Sequence, residues 1–133
     1  MEANEQVQEE YESFLRQSID NREVWILDGT QGMACQESME FEGKMAILFW
    51  SNALLAETER DVEFEDLETT PLPLYDFMFQ WLPNMQEEGV ICALNWNKED
   101  GGLEIIPEDL LNHLNMIIPE DLETEFKKRL TSS

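Results

Sequence analysis

His113 is the one histidine in the chain, and Cys35 and Cys92 are its only cysteines. Nucleophilic catalysis needs a base that takes and returns a proton near neutral pH, beside an activated Ser or Cys. The sequence has no G-x-S-x-G elbow and no cysteine paired in sequence with His113. Two cysteines and one histidine cannot complete a structural zinc site without carboxylates. Carboxylates would favour calcium, and Asp61-Val62-Glu63-Phe64-Glu65-Asp66 alternates acids as an EF-hand loop begins. Asp66 then stands where glycine makes the turn, and Leu72 where a bidentate Glu belongs. Asn95-Trp96-Asn97-Lys98-Glu99-Asp100 departs from the pattern at the same two points. With 30 Asp and Glu, carboxylate pairs occur at every spacing by chance. Gly29 and Gly32 lack the Lys-Ser/Thr of a phosphate loop, and no G-x-G-x-x-G occurs. The reading is of a chain without a cofactor or metal motif, leaning away from an enzyme.

Charge constrains partners more tightly than any motif. Thirty acids against eight Lys and Arg give a net of −22 over 133 residues. Such a field repels nucleic acid and anionic membrane surfaces and favours cationic partners. Direct nucleic-acid binding needs a basic stripe, and Lys127-Lys128-Arg129 is insufficient against this background. Acids occur in nearly every segment, which also suits a solubility device or salt adaptation. The hydrophobic fraction of 42% and aromatic fraction of 10% set the chain apart from disordered acidic proteins. Met1 to Glu12 has no basic region followed by an apolar run, and no stretch approaches a membrane span. A cytoplasmic chain with two buried free thiols is expected.

The elements follow from apolar periodicity. Val7, Tyr11, Phe14 and Leu15 make one stripe of a helix over 4–19, with Glu2, Glu5, Glu9, Glu10 and Glu12 suiting its N-terminal dipole. Val24 to Leu27 and Gly32 to Gln36 read as a hairpin across Asp28 to Gln31. Met45 to Trp50 is a continuous apolar run, expected as a central strand covered on both faces. Ser51 is placed as the N-cap of a helix from Asn52 to about Glu59, and 61–70 as an exposed or edge strand. Leu74, Phe77, Met78, Trp81, Leu82 and Met85 form an unbroken helical stripe, which Pro83 should kink or restart. Gly89 closes it. Val90 to Trp96 and Leu103 to Ile106 are strands. Ile105-Ile106-Pro107-Glu108-Asp109-Leu110 returns as Ile117-Ile118-Pro119-Glu120-Asp121-Leu122, each copy a helix start with Pro at the first position. The expectation is one α+β domain over 1–133, with a small, mostly antiparallel sheet of about five strands flanked by amphipathic helices.

Two surfaces emerge as candidates. Glu57, Glu59, Asp61, Glu63, Glu65, Asp66 and Glu68 are the densest acidic run and the candidate partner-binding surface. Trp50 and Trp96 end apolar runs beside Ser51-Asn52 and Asn95-Asn97, so their rings either line a cleft or close the core edge with a bonded indole N–H.

The segment PLPLYDFMFQWLPNMQEEGVICALNWN, residues 71–97, resembles the central signature of a bacterial family known as domain of unknown function 2750. The shared features are the Pro-Leu lead-in, Trp81-Leu82-Pro83, the acidic turn to Gly89, and the strand closing on Trp96-Asn97. Val24 to Asp28 is similar to the family's first strand, and Leu48-Phe49-Trp50-Ser51 to its strand-to-helix junction, with Leu48 where a proline is expected. The resemblance spans about 8–115 and leaves 116–133 as a C-terminal helical extension. It implies a small, soluble, cytoplasmic α+β protein with no assigned activity, so no catalytic residue carries over.

The first functional expectation is a non-catalytic binding module that presents an acidic face to a basic protein. Immunity, antitoxin-like and charge-mimic roles are special cases. The alternative is a small-molecule binder or enzyme with a cleft near Trp50 and Trp96, using nearby acids and His113. A third reading is a homo-oligomer formed through a sheet edge or the C-terminal helices.

Overall fold

The computed structural model describes residues 2–132, with side chains from Val7 to Thr131, so the side chains of Glu2 and Glu5 lie outside the described residues. In chain order the elements are α1 (Glu2–Asn21), β1 (Glu23–Gly29), β2 (Gly32–Met33), β3 (Cys35–Glu37), β4 (Met45–Phe49), α2 (Ala53–Glu63) and β5 (Glu68–Pro73). There follow α3 (Leu74–Asp76), a π-helical turn (Phe77–Trp81), α4 (Leu82–Glu88), β6 (Ile91–Asn97), β7 (Gly101–Ile105), α5 (Pro107–Ile117) and α6 (Glu120–Ser132). No described helix is long and apolar enough to cross a membrane.

The fold is α+β, but its strands form two sheets and not one of about five strands. One has the order β2-β1-β5 and the other β3-β4-β6-β7. The expected strand from Gly32 to Gln36 divides at Ala34, and this division makes the second sheet. Ala34 N–H donates to Leu27 O at 2.8 Å in the first sheet, while Ala34 O accepts from Leu48 N–H at 3.2 Å in the second. The backbone thus changes sheets within one residue. Trp25 and Trp50 join the sheets again by exchanging backbone hydrogen bonds of 2.7 and 2.9 Å.

All strand pairings are antiparallel except β4 with β6, which is parallel. Both faces of that pair are covered, which explains why their sequences are nearly continuous apolar runs. Phe49, Cys92 and Leu94 face a core completed by Phe14, Leu74, Phe77, Leu110 and Leu114 from the helices. Ala46, Leu48, Trp50, Ile91 and Ala93 face a second core with Leu27 and Ala56. Leu122 and Phe126 of α6 enter the first core, and Arg129 lies 3.8 Å over the Tyr75 ring.

Several boundaries differ from expectation for identifiable reasons. Asn52, not Ser51, caps α2, its Oδ1 accepting from Leu55 N–H at 2.9 Å. Residues 61–63 belong to that helix, and only Glu68–Pro73 forms the edge strand, where Pro71 and Pro73 are tolerated. Pro83 falls in the first turn of α4, so α-helical geometry restarts there, as expected. The preceding π turn runs straight into α4, with Leu82 N–H bonded to Phe77 O. This longer turn moves a carbonyl out of the way of a ring that would otherwise clash with it. Gly89 closes α4 in the left-handed region at φ 75°. Cys92 is buried, whereas Cys35 is exposed on β3, the outermost strand of its sheet.

A β-irregularity between Leu94 and Asn97 centres on Asn95, whose φ is +48°. An inserted residue shifts side-chain parity by one, so Trp96 turns to the face already occupied by Ile91 and Ala93. Trp50 Nε1–H then donates to Trp96 O at 2.8 Å. Trp50→Phe deletes that donor and leaves a buried carbonyl unsatisfied, so urea unfolding should show a loss of about 1–3 kcal/mol with an unchanged m-value. An unchanged midpoint would mean that the indole bond contributes nothing.

Candidate functional site

Helix α2 turns its apolar side outward. Ala56 is its only buried residue, while Leu54 is 72% exposed and Val62 53%. At 100° per residue, Leu54, Thr58 and Val62 lie on the face opposite Ala56, with Leu55 at its edge. The same geometry sets Glu57 and Asp61 along one border of that stripe and Glu59 along the other, with Glu63 turned toward the side of Ala56. A helix stabilised only by propensity would be marginal at this length. Its placement comes from the Asn52 cap and from Arg60, whose Nε–H donates to Leu67 O at 2.6 Å and closes the turn into β5.

The seven acids proposed from sequence fall on helix, turn and strand. Glu57, Glu59, Asp61 and Glu63 lie on α2, Glu65 and Asp66 in the following turn, and Glu68 at the start of β5. They divide into two groups by their neighbours. Glu59 accepts from Lys98 N–H at 3.0 Å and Glu63 pairs with Lys98 Nζ at 3.1 Å, so both are tied to the β6–β7 turn. Asp61 lies 3.1 Å from its neighbour Arg60. Glu57, Glu65, Asp66 and Glu68 make no ion pair among the described residues. Glu63, Glu65 and Asp66 line one open groove of about 490 Å³ with Thr30 and Gln31 of the first hairpin. Beside it, register places Glu68 directly opposite Asp28, a like-charge pair that an antiparallel sheet carries at a cost.

Trp50 and Trp96 are 1% and 8% exposed and belong to the second core. The polar residues beside them are bonded to one another. Ser51 N–H donates to Asn95 Oδ1 at 2.9 Å, and Asn95 Nδ2–H to Ser51 Oγ at 3.2 Å. Ser51 Oγ–H and Asn52 Nδ2–H both donate to Gln17 Oε1, at 2.7 and 3.0 Å. These bonds hold α1 against the ends of β4 and β6 and direct the chain into α2. They satisfy the side chain of Asn95, whose backbone sits in the left-handed region, and the network acts as a structural joint.

His113 lies away from the tryptophans, on α5. Its Nδ1 is 2.5 Å from Tyr11 Oη of α1, across 102 residues of sequence. Burial, the Asp109 carboxylate and Cys92 together push the Tyr11 phenol up to about 12. Near neutral pH the phenol therefore keeps its proton, and its contact with Nδ1 fixes the imidazole ring beside α1. A shallow groove of about 310 Å³ opens beside the pair, between α1 and α5. Among the described residues, no three His, Cys, Asp or Glu side chains gather in a way that could hold a metal ion.

A family model described as "Protein of unknown function (DUF2750)" matches residues 11–114. The chain belongs to this family. A search of the curated proteins finds no match. The DUF2750 match runs from Tyr11 through His113, so it contains the whole acidic run, both buried tryptophans and the Tyr–His pair. Met116, Ile117 and all of α6 lie beyond it. Two features of this DUF2750 domain were missed in the sequence reading. The outward stripe of α2 was signalled only by Leu54-Leu55 preceding the single small residue that packs. The Tyr11–His113 pair joins two helices that were each visible in the sequence, while their pairing across 102 residues was not.

The raised Tyr11 phenol links protonation to stability. Below pH 10 the folded and unfolded chains both hold the proton, and this group adds no pH dependence. Between about 10 and 12 the unfolded chain releases a proton that the folded chain retains, so stability falls as pH rises through that window. Alkaline titration followed by phenolate absorbance should show a step near pH 12 that Tyr11→Phe abolishes. An identical titration of the variant would contradict the assignment.

Proposed function

We propose that this DUF2750 protein is a non-catalytic binding module whose α2 face docks a basic protein partner. The observation that carries the reading is the outward apolar stripe of Leu54, Leu55 and Val62, bordered by carboxylates on both sides. Exposed apolar surface rimmed by charge marks protein–protein interfaces more often than solubility devices, which place charge without an apolar strip. The stripe supplies the desolvated centre of such an interface. Glu57, Asp61, Glu65, Asp66 and Glu68 supply a long-range field that attracts a cation-rich surface and raises its association rate. A basic amphipathic helix is the simplest complement, with apolar residues on the stripe and Lys or Arg along its borders.

Immunity, antitoxin-like and charge-mimic roles are special cases of this reading. Mimicry of duplex nucleic acid further requires carboxylates at a spacing comparable to about one charge per 1.7 Å of helix axis. The proposed face is mixed apolar and acidic, and this favours an inhibitor or binder of a basic protein over a literal imitation of DNA. The alternative cleft at Trp50 and Trp96 is disfavoured because both rings are covered and the adjoining polar groups bond to each other.

Retention of proteins from a lysate of the source organism on the immobilised chain tests the proposal. A protein with an isoelectric point above about 9 should be held at low salt and released as screening shortens the field's reach to a few ångströms. Glu57→Lys with Asp61→Lys should abolish retention, and Leu54→Ser with Val62→Ser should weaken it at least about tenfold, a loss of about 1.4 kcal/mol or more. Recovery of no basic protein, or retention indifferent to both salt and the two double variants, would reject the reading.

A further inference from the structure

The α1–α5 groove combines three features that the α2 face does not explain. Its floor and far wall are apolar: Leu15 from α1, with Met116 80% exposed and Ile117 49% exposed at the end of α5. Its polar rim carries the exposed imidazole of His113, its ring held through Nδ1 by the Tyr11 hydroxyl. On the α1 side stands Arg16, which makes no ion pair among the described residues, although the chain has 30 acids. Arg22, Arg60, Lys98 and Lys127 each have a carboxylate within 3.5 Å. Glu12, one helical turn before Arg16 on the same groove, does not pair with it.

An unpaired guanidinium on the α1 side and an imidazole on the α5 side, above an apolar floor, define the chemistry of a complement. The guanidinium fork and the imidazole N–H suit one carboxylate. The methionine and isoleucine suit an aliphatic tail, and methionine adapts to tails of different shape. The volume of about 310 Å³ is at the lower end of small-molecule sites. Glu12 on the rim and the chain's net charge of −22 disfavour ligands with more than one negative charge.

We infer that the groove between α1 and α5 binds a small amphipathic monocarboxylate, its carboxylate held by Arg16 and His113 and its tail laid on Leu15, Met116 and Ile117. This site is independent of the α2 face and of any partner bound there.

Titration of the labelled full chain with decanoate, below its micelle concentration and followed by amide chemical shifts, tests the inference. One saturable site is expected, with shifts confined to 8–16 and 113–117. Arg16→Gln and His113→Asn should each weaken binding about tenfold or more. Both side chains are exposed, so each variant should keep the wild-type circular dichroism spectrum and melting temperature. Decyltrimethylammonium, with the same tail and the opposite charge, should bind at least about tenfold more weakly. Absence of a saturable shift, equal binding of the cationic amphiphile, or wild-type affinity in both variants would each overturn the proposal. So would a dimer in light scattering that Met116→Asp splits and that excludes decanoate, because a second copy would then be the occupant.

Discussion

Trp50 closes the structure at the point where its two sheets meet. Its backbone exchanges hydrogen bonds with Trp25, and its indole N–H reaches the Trp96 carbonyl. Neither sheet is substantial alone: the first has three strands, one of them only two residues long. Small sheets of this kind need a packed face to be stable. The Trp25–Trp50 exchange and the crossing at Ala34 tie the two sheets together, and among the described residues 27 hydrophobic side chains lie buried across the two cores. The next residue, Ser51, passes this constraint to α1 through Gln17 and to β6 through Asn95. Asn52 then begins α2. The position of the acidic helix is therefore fixed from its N-terminal end by the same joint that unites the sheets.

This arrangement explains how a chain with a net charge of −22 stays folded while leaving apolar residues on one helix uncovered. The four ion pairs named above among the described residues are all solvent-exposed, and exposed pairs are worth about 0–1 kcal/mol each. Stability comes from the two apolar cores and the satisfied polar joint. Repulsion among the acids is a cost spread over the surface, moderated by salt. Because α2 contributes Ala56 alone to the buried interior, its outward side chains Leu54, Glu57, Asp61 and Val62 are free to vary without loss of the core. Such a helix is a suitable place for recognition residues, since the scaffold beneath holds it without depending on them.

Much of the fold was legible where a local signal had one physical outcome. Gly89 ended a helix because its backbone must turn left-handed, and Pro107 began one because its missing N–H costs nothing at a first turn. The continuous apolar runs around Ile47 and Ala93 implied strands covered on both faces, and they are paired in parallel at the centre of their sheet. What escaped depended on distant partners. Nothing near Ala34 announces a change of sheet, because the event is defined by Leu27 and Leu48. The π turn before Pro83 is a choice among helical geometries that side-chain periodicity does not resolve. Of the proposed site, the acidic run was plain in composition, but its division between Lys98-bound Glu59 and Glu63 and the remaining acids depended on a turn 35 residues away, from Glu63 to Lys98. The single histidine was visible and its Tyr11 partner was not.

Native-state hydrogen exchange of the amides of Trp25, Ala34 and Trp50 addresses the joint directly. If the two sheets form one cooperative body, these three protons exchange only through the global opening that also exposes Leu48 and Leu94, with the same free energy and the same dependence on denaturant. A lower opening energy for Trp25 and its strand neighbours Ile26 and Leu27, while β4 and β6 stay protected, would show two sheets that melt separately. Helix α2 would then owe its position to something other than Trp50.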